Sequence, residues 1–138
     1  MKALTLYARR VKQGDVTFYE SAIAAGNLTD KELYRTDSWN AATGEGYQRE
    51  QNPTHVRKIT NYLQQGDEHS NVLPANIVLN FRLPLSVKEL GNNMVELTIT
   101  NWPAYIIDGQ HRIHAADKAI DEGADLTDYE FGVTITNF

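Results

Sequence analysis

Cysteine is absent from the 138 residues. That excludes a disulfide framework, a thiolate zinc site, an iron–sulfur cluster and a cysteine nucleophile. Only four prolines are present, and no Pro/Ser-rich linker, internal repeat or low-complexity tract divides the chain. No apolar run approaches the roughly 18 residues of a membrane-spanning helix, so no membrane association is expected. Positive charge is scarce in one half. Residues 70–138 carry four Lys/Arg against nine Asp/Glu, whereas residues 1–69 carry nine of each, so the second half accounts for the whole formal charge of −5. A non-specific nucleic-acid binder would be basic along one face, and any DNA contact here would come from a local patch. At the N-terminus the pair Arg9-Arg10 follows the apolar stretch, the wrong order for a secretory signal, and a cytoplasmic location is expected. What remains is an ordinary globular composition, 41% hydrophobic and 22% charged. A chain of this length forms one domain, residues 1–138, and buries about two-thirds of its unfolded surface.

Periodicity gives the elements. Leu4, Leu6 and Ala8 alternate with Thr5 and Tyr7, predicting a strand. Val16–Tyr19 predicts a second strand after a turn at Gln13-Gly14-Asp15. Residues 24–46 are punctuated by Gly, Asn and Asp and read as irregular, with a short helix around Asp30–Tyr34. Asn52 is a good N-cap and Pro53 a good first helical residue, because its missing N–H has no helical partner to lose. Val56, Ile59 and Leu63 then recur at helical spacing over 53–65, and Gly66 ends the run. Alternating strands are predicted at 77–81, 94–100 and 129–135, and a short buried strand at Tyr105–Ile107. A helix over 110–122 carries Ile113, Ala116, Ala119 and Ile120 on its apolar stripe, with Gly123 at the C-terminal cap. Strands outnumber helices and helices interrupt them. The expected class is α/β in the broad sense (α+β): one compact mixed β-sheet with a few packed helices.

The stretch with most chemistry in it is Tyr105-Ile106-Ile107-Asp108-Gly109-Gln110-His111-Arg112. A hydrophobic strand ends at an acid and a glycine, and a helix opens with three polar residues. The first-turn N–H groups form an anion site favoured by the helix dipole. Gly109 removes the side chain where a ligand would approach, and Arg112 can add a bidentate phosphate contact. On this reading Gly109→Val abolishes ligand binding and spares the fold. A plainer reading makes Asp108 only an N-cap and Gly109 only a turn residue.

Asp108-Gly109-Gln110-His111-Arg112 is the motif of the DGQHR-domain family, which includes DndB-like proteins associated with DNA phosphorothioate modification, and the resemblance extends beyond five residues. Gly46-Tyr47-Gln48-Arg49 and Asn52–Leu63 look like that family's Gln-Arg segment and helix, and Leu73–Leu79 looks like its following strand. Together these pieces cover roughly residues 46–120. More distantly, Asp108–Ala116 resembles the phosphate-binding turn of the ParB/sulfiredoxin superfold, whose ParB-type members bind a nucleotide triphosphate. Sulfiredoxins place a reactive cysteine where this chain has Gln110, so their chemistry does not carry over. The resemblance implies a ParB/sulfiredoxin-like core and a nucleotide or phosphate ligand held by Gly109, Gln110, His111, Arg112, Gln48 and Arg49. It implies a role in DNA modification, phage defence or their regulation. Longer DGQHR proteins continue into a helical portion beyond the point matched by Phe138. This sequence is either a compact variant or a fragment of something larger, and activities resting on that portion do not transfer to it from the resemblance.

Other residues admit two readings. Asp108 and Glu50 are the candidates for a general base or a magnesium ligand, Asp108 the better placed, which would suit a nucleotide hydrolase or phosphoryl-transfer enzyme. A non-catalytic DNA-binding regulator is the other alternative. His111 and His114 share a helix face and could ligate a metal with Asp108 or Asp117. No third strong ligand is evident, and no metal site is expected. Arg49, Arg57 and Lys58, with His55, form a small basic group that could equally be a solvated helix face balanced by Glu50. Trp39, Trp102 and the tyrosines fit core and turn roles better than base stacking.

Overall fold

Alternation at the N-terminus and in the last third of the chain builds a single sheet. In the computed structural model, residues 2–36, 52–64 and 72–138 are described. In chain order the elements are β1 (Leu4–Gln13), β2 (Val16–Ala24), α1 (Ala25–Leu28), β3 (Tyr34–Thr36) and α2 (Pro53–Leu63). They continue with β4 (Ile77–Phe81), β5 (Ser86–Gly91), β6 (Met94–Ile99), β7 (Ala104–Asp108), α3 (Gln110–Asp121) and β8 (Glu130–Thr136). The eight strands form one sheet in the order β3-β7-β4-β8-β2-β1-β6-β5. Two neighbouring pairs, β3–β7 and β4–β8, are parallel and the other five antiparallel, so the sheet is mixed.

The hairpin of β1 and β2 turns at Gly14, whose φ of 57° a β-carbon would resist. The hairpin of β5 and β6 turns at Asn92-Asn93, both with positive φ, the backbone that matches the twist of the flanking strands. On β4, β6 and β8 the residues predicted to face inward do so. Leu79, Phe81, Val95, Leu97, Phe131, Val133 and Ile135 are all fully buried. Each such side chain contributes about 1.5–3 kcal/mol of transfer free energy. Trp102 belongs to the same core: its ring meets Tyr34 and Phe81 edge-on, and its indole N–H donates to the Lys2 carbonyl at 2.7 Å.

Asn52 caps α2, its Oδ1 accepting from the His55 N–H at 3.2 Å, with Pro53 as the first helical residue. The helix runs to Leu63, two residues short of the predicted end, and Gly66 lies outside the described residues. On α3 the alanines 115, 116 and 119 are fully buried, and Gly123 follows with φ +99° at the predicted cap. Val56, Ile113 and Ala116 are buried as expected, and Ile59 is partly buried. The region read as irregular holds more order than its punctuation suggests. β2 continues to Ala24, α1 spans 25–28 instead of 30–34, and Tyr34–Thr36 adds a strand beside β7.

Candidate functional site

The sheet delivers Asp108 at the carboxyl end of β7, where the pairing with β4 shifts register between Val78 and Leu79 and sets Asp108 opposite Val78. Asp108 is exposed, and its carboxylate has no partner among the described residues. It is not the N-cap of α3. Gly109 is, in left-handed conformation with φ 98°. A β-carbon there would lie 2.8 Å from Cγ1 of Ile77 and 3.2 Å from Nη2 of Arg112. The missing side chain therefore lets β4 approach the start of α3, and the bare face that a ligand was expected to use is filled by Ile77. Gln110 is buried.

His111 and Arg112 tie α3 to its neighbours. His111 Nε2 accepts the Asn52 backbone N–H at 3.1 Å, and the ring sits edge-on to His55 with centroids 4.9 Å apart. Burial first, and His55 second, lower the His111 pKa from its ordinary value. That favours the neutral imidazole this hydrogen bond requires. The Arg112 guanidinium donates to the backbone carbonyls of Ala75 and, at 3.2 Å, Asn76. The arginine expected to meet a phosphate is thus engaged by the segment leading into β4.

At the far end of the helix pair, Arg57 meets Glu122 in a two-point contact at 3.0 and 2.8 Å, and Gln64 adds a third hydrogen bond to that carboxylate. These bonds pull the Glu122 pKa down to about 2. Of the basic group, Arg57 is spent on this pair. With Asn52 beside His111, and Gln64 beside Glu122, α2 and α3 lie side by side and run in the same direction. Their N-termini share one end. Each carries about half a positive charge there. In α2, Pro53 has no N–H and those of Asn52 and His55 are already bonded, so the free first-turn donors are chiefly those of α3. The arrangement can hold an anion. Gln48, Arg49 and Glu50 lie outside the described residues, as does Trp39.

Sequence reasoning did not anticipate a cavity of about 460 Å³ between α3, the first turn of α2 and the segment around α1, walled by Leu28, Val56, Ile106 and Ile113. His114 faces it and is half-buried; burial is the main cause that lowers its pKa, opposed by Asp117. The lining residues come from four separate stretches of chain, so no local pattern announced them.

A family model, DndB, described as DNA-sulfur modification-associated, matches residues 6–137. The chain belongs to the DndB family. The DndB match runs from β1 to the end of β8, so the Asp108–Arg112 motif and the capped helix α2 both lie inside the family's own span, and the resemblance drawn from them holds. Membership ties the chain to DNA sulfur modification. No curated protein and no solved structure matches the chain. Among the described residues, no helix is long and apolar enough to cross a membrane.

Proposed function

We propose that this DndB-family chain binds a nucleotide, or another phosphate-bearing ligand, at the paired N-termini of α2 and α3. It does so in service of DNA modification, of phage defence, or of their regulation. The observation that carries the reading is the Asn52–His111 hydrogen bond, which holds two helix N-termini together so that their dipoles act on one anion. The backbone N–H groups of Gln110, His111 and Arg112 supply the donors. Arg49 and Gln48, just upstream of Asn52 in sequence, supply a cation and an amide. Arg112 holds the start of α3 in place and adds its charge from one turn inside. Gly109 contributes the backbone path that lets α3 begin there, not an open face.

Calorimetric titration of ATP, CTP and ADP tests this. Arg49→Ala removes a charge-assisted contact and is expected to weaken binding about tenfold to a hundredfold. Failure of every nucleotide to bind overturns the reading. The exposed carboxylate of Asp108 beside the same helix end supports a second reading, nucleotide hydrolysis or phosphoryl transfer, with Asp108 as base or as the residue that would hold Mg²⁺. That reading requires Mg²⁺-dependent turnover that Asp108→Asn abolishes while binding persists. A DNA-binding regulator would instead show salt-steep DNA affinity with no response to nucleotide.

A further inference from the structure

Helix α2 is held differently at its two ends. Towards its C-terminus it buries Thr60 and Leu63. Tyr62 bonds Val72 twice, its hydroxyl donating to the carbonyl at 3.1 Å and accepting the N–H at 2.9 Å. Arg57 and Gln64 add their bonds to Glu122. None of these groups changes charge between roughly pH 5 and 8, since the Glu122 carboxyl titrates only at about 2.

The first turn has no such anchor. Asn52, Pro53, Thr54 and His55 are all exposed. Among the described residues, one hydrogen bond ties this turn to α3, from the Asn52 N–H to His111, and the His55 ring stands edge-on to the same imidazole. A proton on His111 removes the lone pair that accepts the bond. It also sets a cation beside a second imidazole, 4.9 Å away between ring centroids. The other charges at this end do not hold the turn. Arg112 is committed to the carbonyls of Ala75 and Asn76, and Asp108 at the end of β7 and Lys58 on α2 are exposed. His114, one turn along α3, faces Asp117 and Lys31. The stretch 72–76 leading into β4 carries no ionisable side chain.

We propose that the Asn52–His111 bond is a proton-released latch: protonation of His111 frees residues 52–55, while α2 from Arg57 onward stays anchored. The closed arrangement disfavours protonated His111, through burial and then His55. Release restores its ordinary basicity, so proton uptake and opening are coupled. The turn therefore opens as pH falls below the ordinary histidine value of 6.5. Pro53 lines the cavity beside α3, and the same release takes away that part of its wall. The latch goes beyond the phosphate reading and does not rest on it, because it works without ligand.

Backbone carbon shifts of the ligand-free protein, followed by NMR from pH 8 to 4.5, test this. Residues 53–55 are expected to lose about half or more of their helical shift, and residues 60–63 to keep theirs. The His111 ring should titrate with the same midpoint as the turn. In His111→Gln, which keeps an acceptor but takes up no proton, the first turn should stay helical throughout. If that variant fails to fold, the shared midpoint in wild type decides. Different midpoints for ring and turn overturn the proposal, as does a first turn still helical once His111 is protonated. Loss of helix at 60–63 together with 53–55 overturns it too, because the chain would then be unfolding as a whole. A pH response that persists in His111→Gln has the same force. Failure of nucleotides to bind, with the latch behaving as expected, overturns the phosphate reading alone.

Discussion

The imidazole of His111 accepts a hydrogen bond from the backbone N–H of Asn52, 3.1 Å away and 59 residues distant in sequence. One side chain thereby satisfies a helix-start donor of α2 while standing in the first turn of α3. A protonated imidazole has no lone pair for this bond, so the junction of the two helices depends on the charge state of His111.

That dependence fixes a sign. The folded-state pKa of His111 is lowered by burial and by His55, and that of His114 mainly by burial, with Lys31 and His111 adding to the effect and Asp117 opposing it. The unfolded chain therefore binds more protons, and stability is full above the ordinary histidine value of 6.5. It falls as pH drops through that value toward the lower folded-state pKa. Urea unfolding at pH 7.5 and 5.5 should show the loss. His111→Gln, which keeps an acceptor but does not titrate, should lose part of it, and His111→Gln/His114→Gln more. An unchanged pH slope in both variants would refute the assignment.

Gly109 should not tolerate a β-carbon. Left-handed backbone is unfavourable by about 1–2 kcal/mol for a non-glycine residue, and overpacking adds about 1–3 kcal/mol. Gly109→Val is accordingly expected to destabilise the fold itself, against the expectation from sequence that it would spare it. Gly109→Ala should do so less severely in an Ile77→Ala background, where Cγ1 is gone. A double-mutant cycle by chemical denaturation reads the coupling. Strict additivity would mean that Ile77 does not set the constraint.

Arg112 should matter before any ligand is added. Its bonds to the carbonyls of Ala75 and Asn76 anchor α3 to the approach of β4, and hydrogen bonds from a charged donor contribute roughly 1.5–3 kcal/mol. Arg112→Ala should lower ligand-free stability by about that amount. Arg112→Lys should recover only part, since an ammonium lacks the planar fork. A ligand-free protein indifferent to Arg112→Ala would return this side chain to a purely ligand-facing role.

Glu122 offers a spectroscopic check. Its carboxyl titrates near 2 because Arg57, and then Gln64, bond the ionised form. A depressed acid stabilises the fold above the unfolded value of 4.5, and this is lost as pH falls toward 2. Arg57→Ala should move the carboxyl resonance midpoint back up toward the ordinary glutamate range. The melting temperature should change little, because the pair is solvated. An unmoved midpoint would show that Arg57 is not the cause.

The strands that proved legible bury one face, as in Val95, Leu97 and Ile99, where alternation records the burial directly. β5 left no such record. All six of its residues are exposed, so neither face demanded apolar residues, and the Asn92-Asn93 turn, pairing with β6 and the Arg10–Glu89 ion pair hold it in the sheet. β3 consists of three residues placed by β7. In the site, the Asp108–Arg112 motif was visible as a strand–glycine–helix junction, but the partners of Arg112 are carbonyls, which any residue carries. The cavity depends on Tyr34, Val56, Ile106 and Ile113 meeting across four elements, and no spacing rule relates them.

β8 follows the other seven strands in sequence, yet it sits between β4 and β2 in the sheet. During synthesis the hairpin of β1 and β2 can form early, while its partner strand emerges more than a hundred residues later, with Tyr19 facing Ile135. Until then the nascent chain presents two half-sheets, each with an open edge able to recruit a stray strand. Such distant pairings also slow folding. A stop codon or frameshift ahead of residue 130 would therefore remove the seam between the halves, leaving a product exposed to aggregation and proteolysis even though the Asp108–Arg112 motif would still be encoded in full.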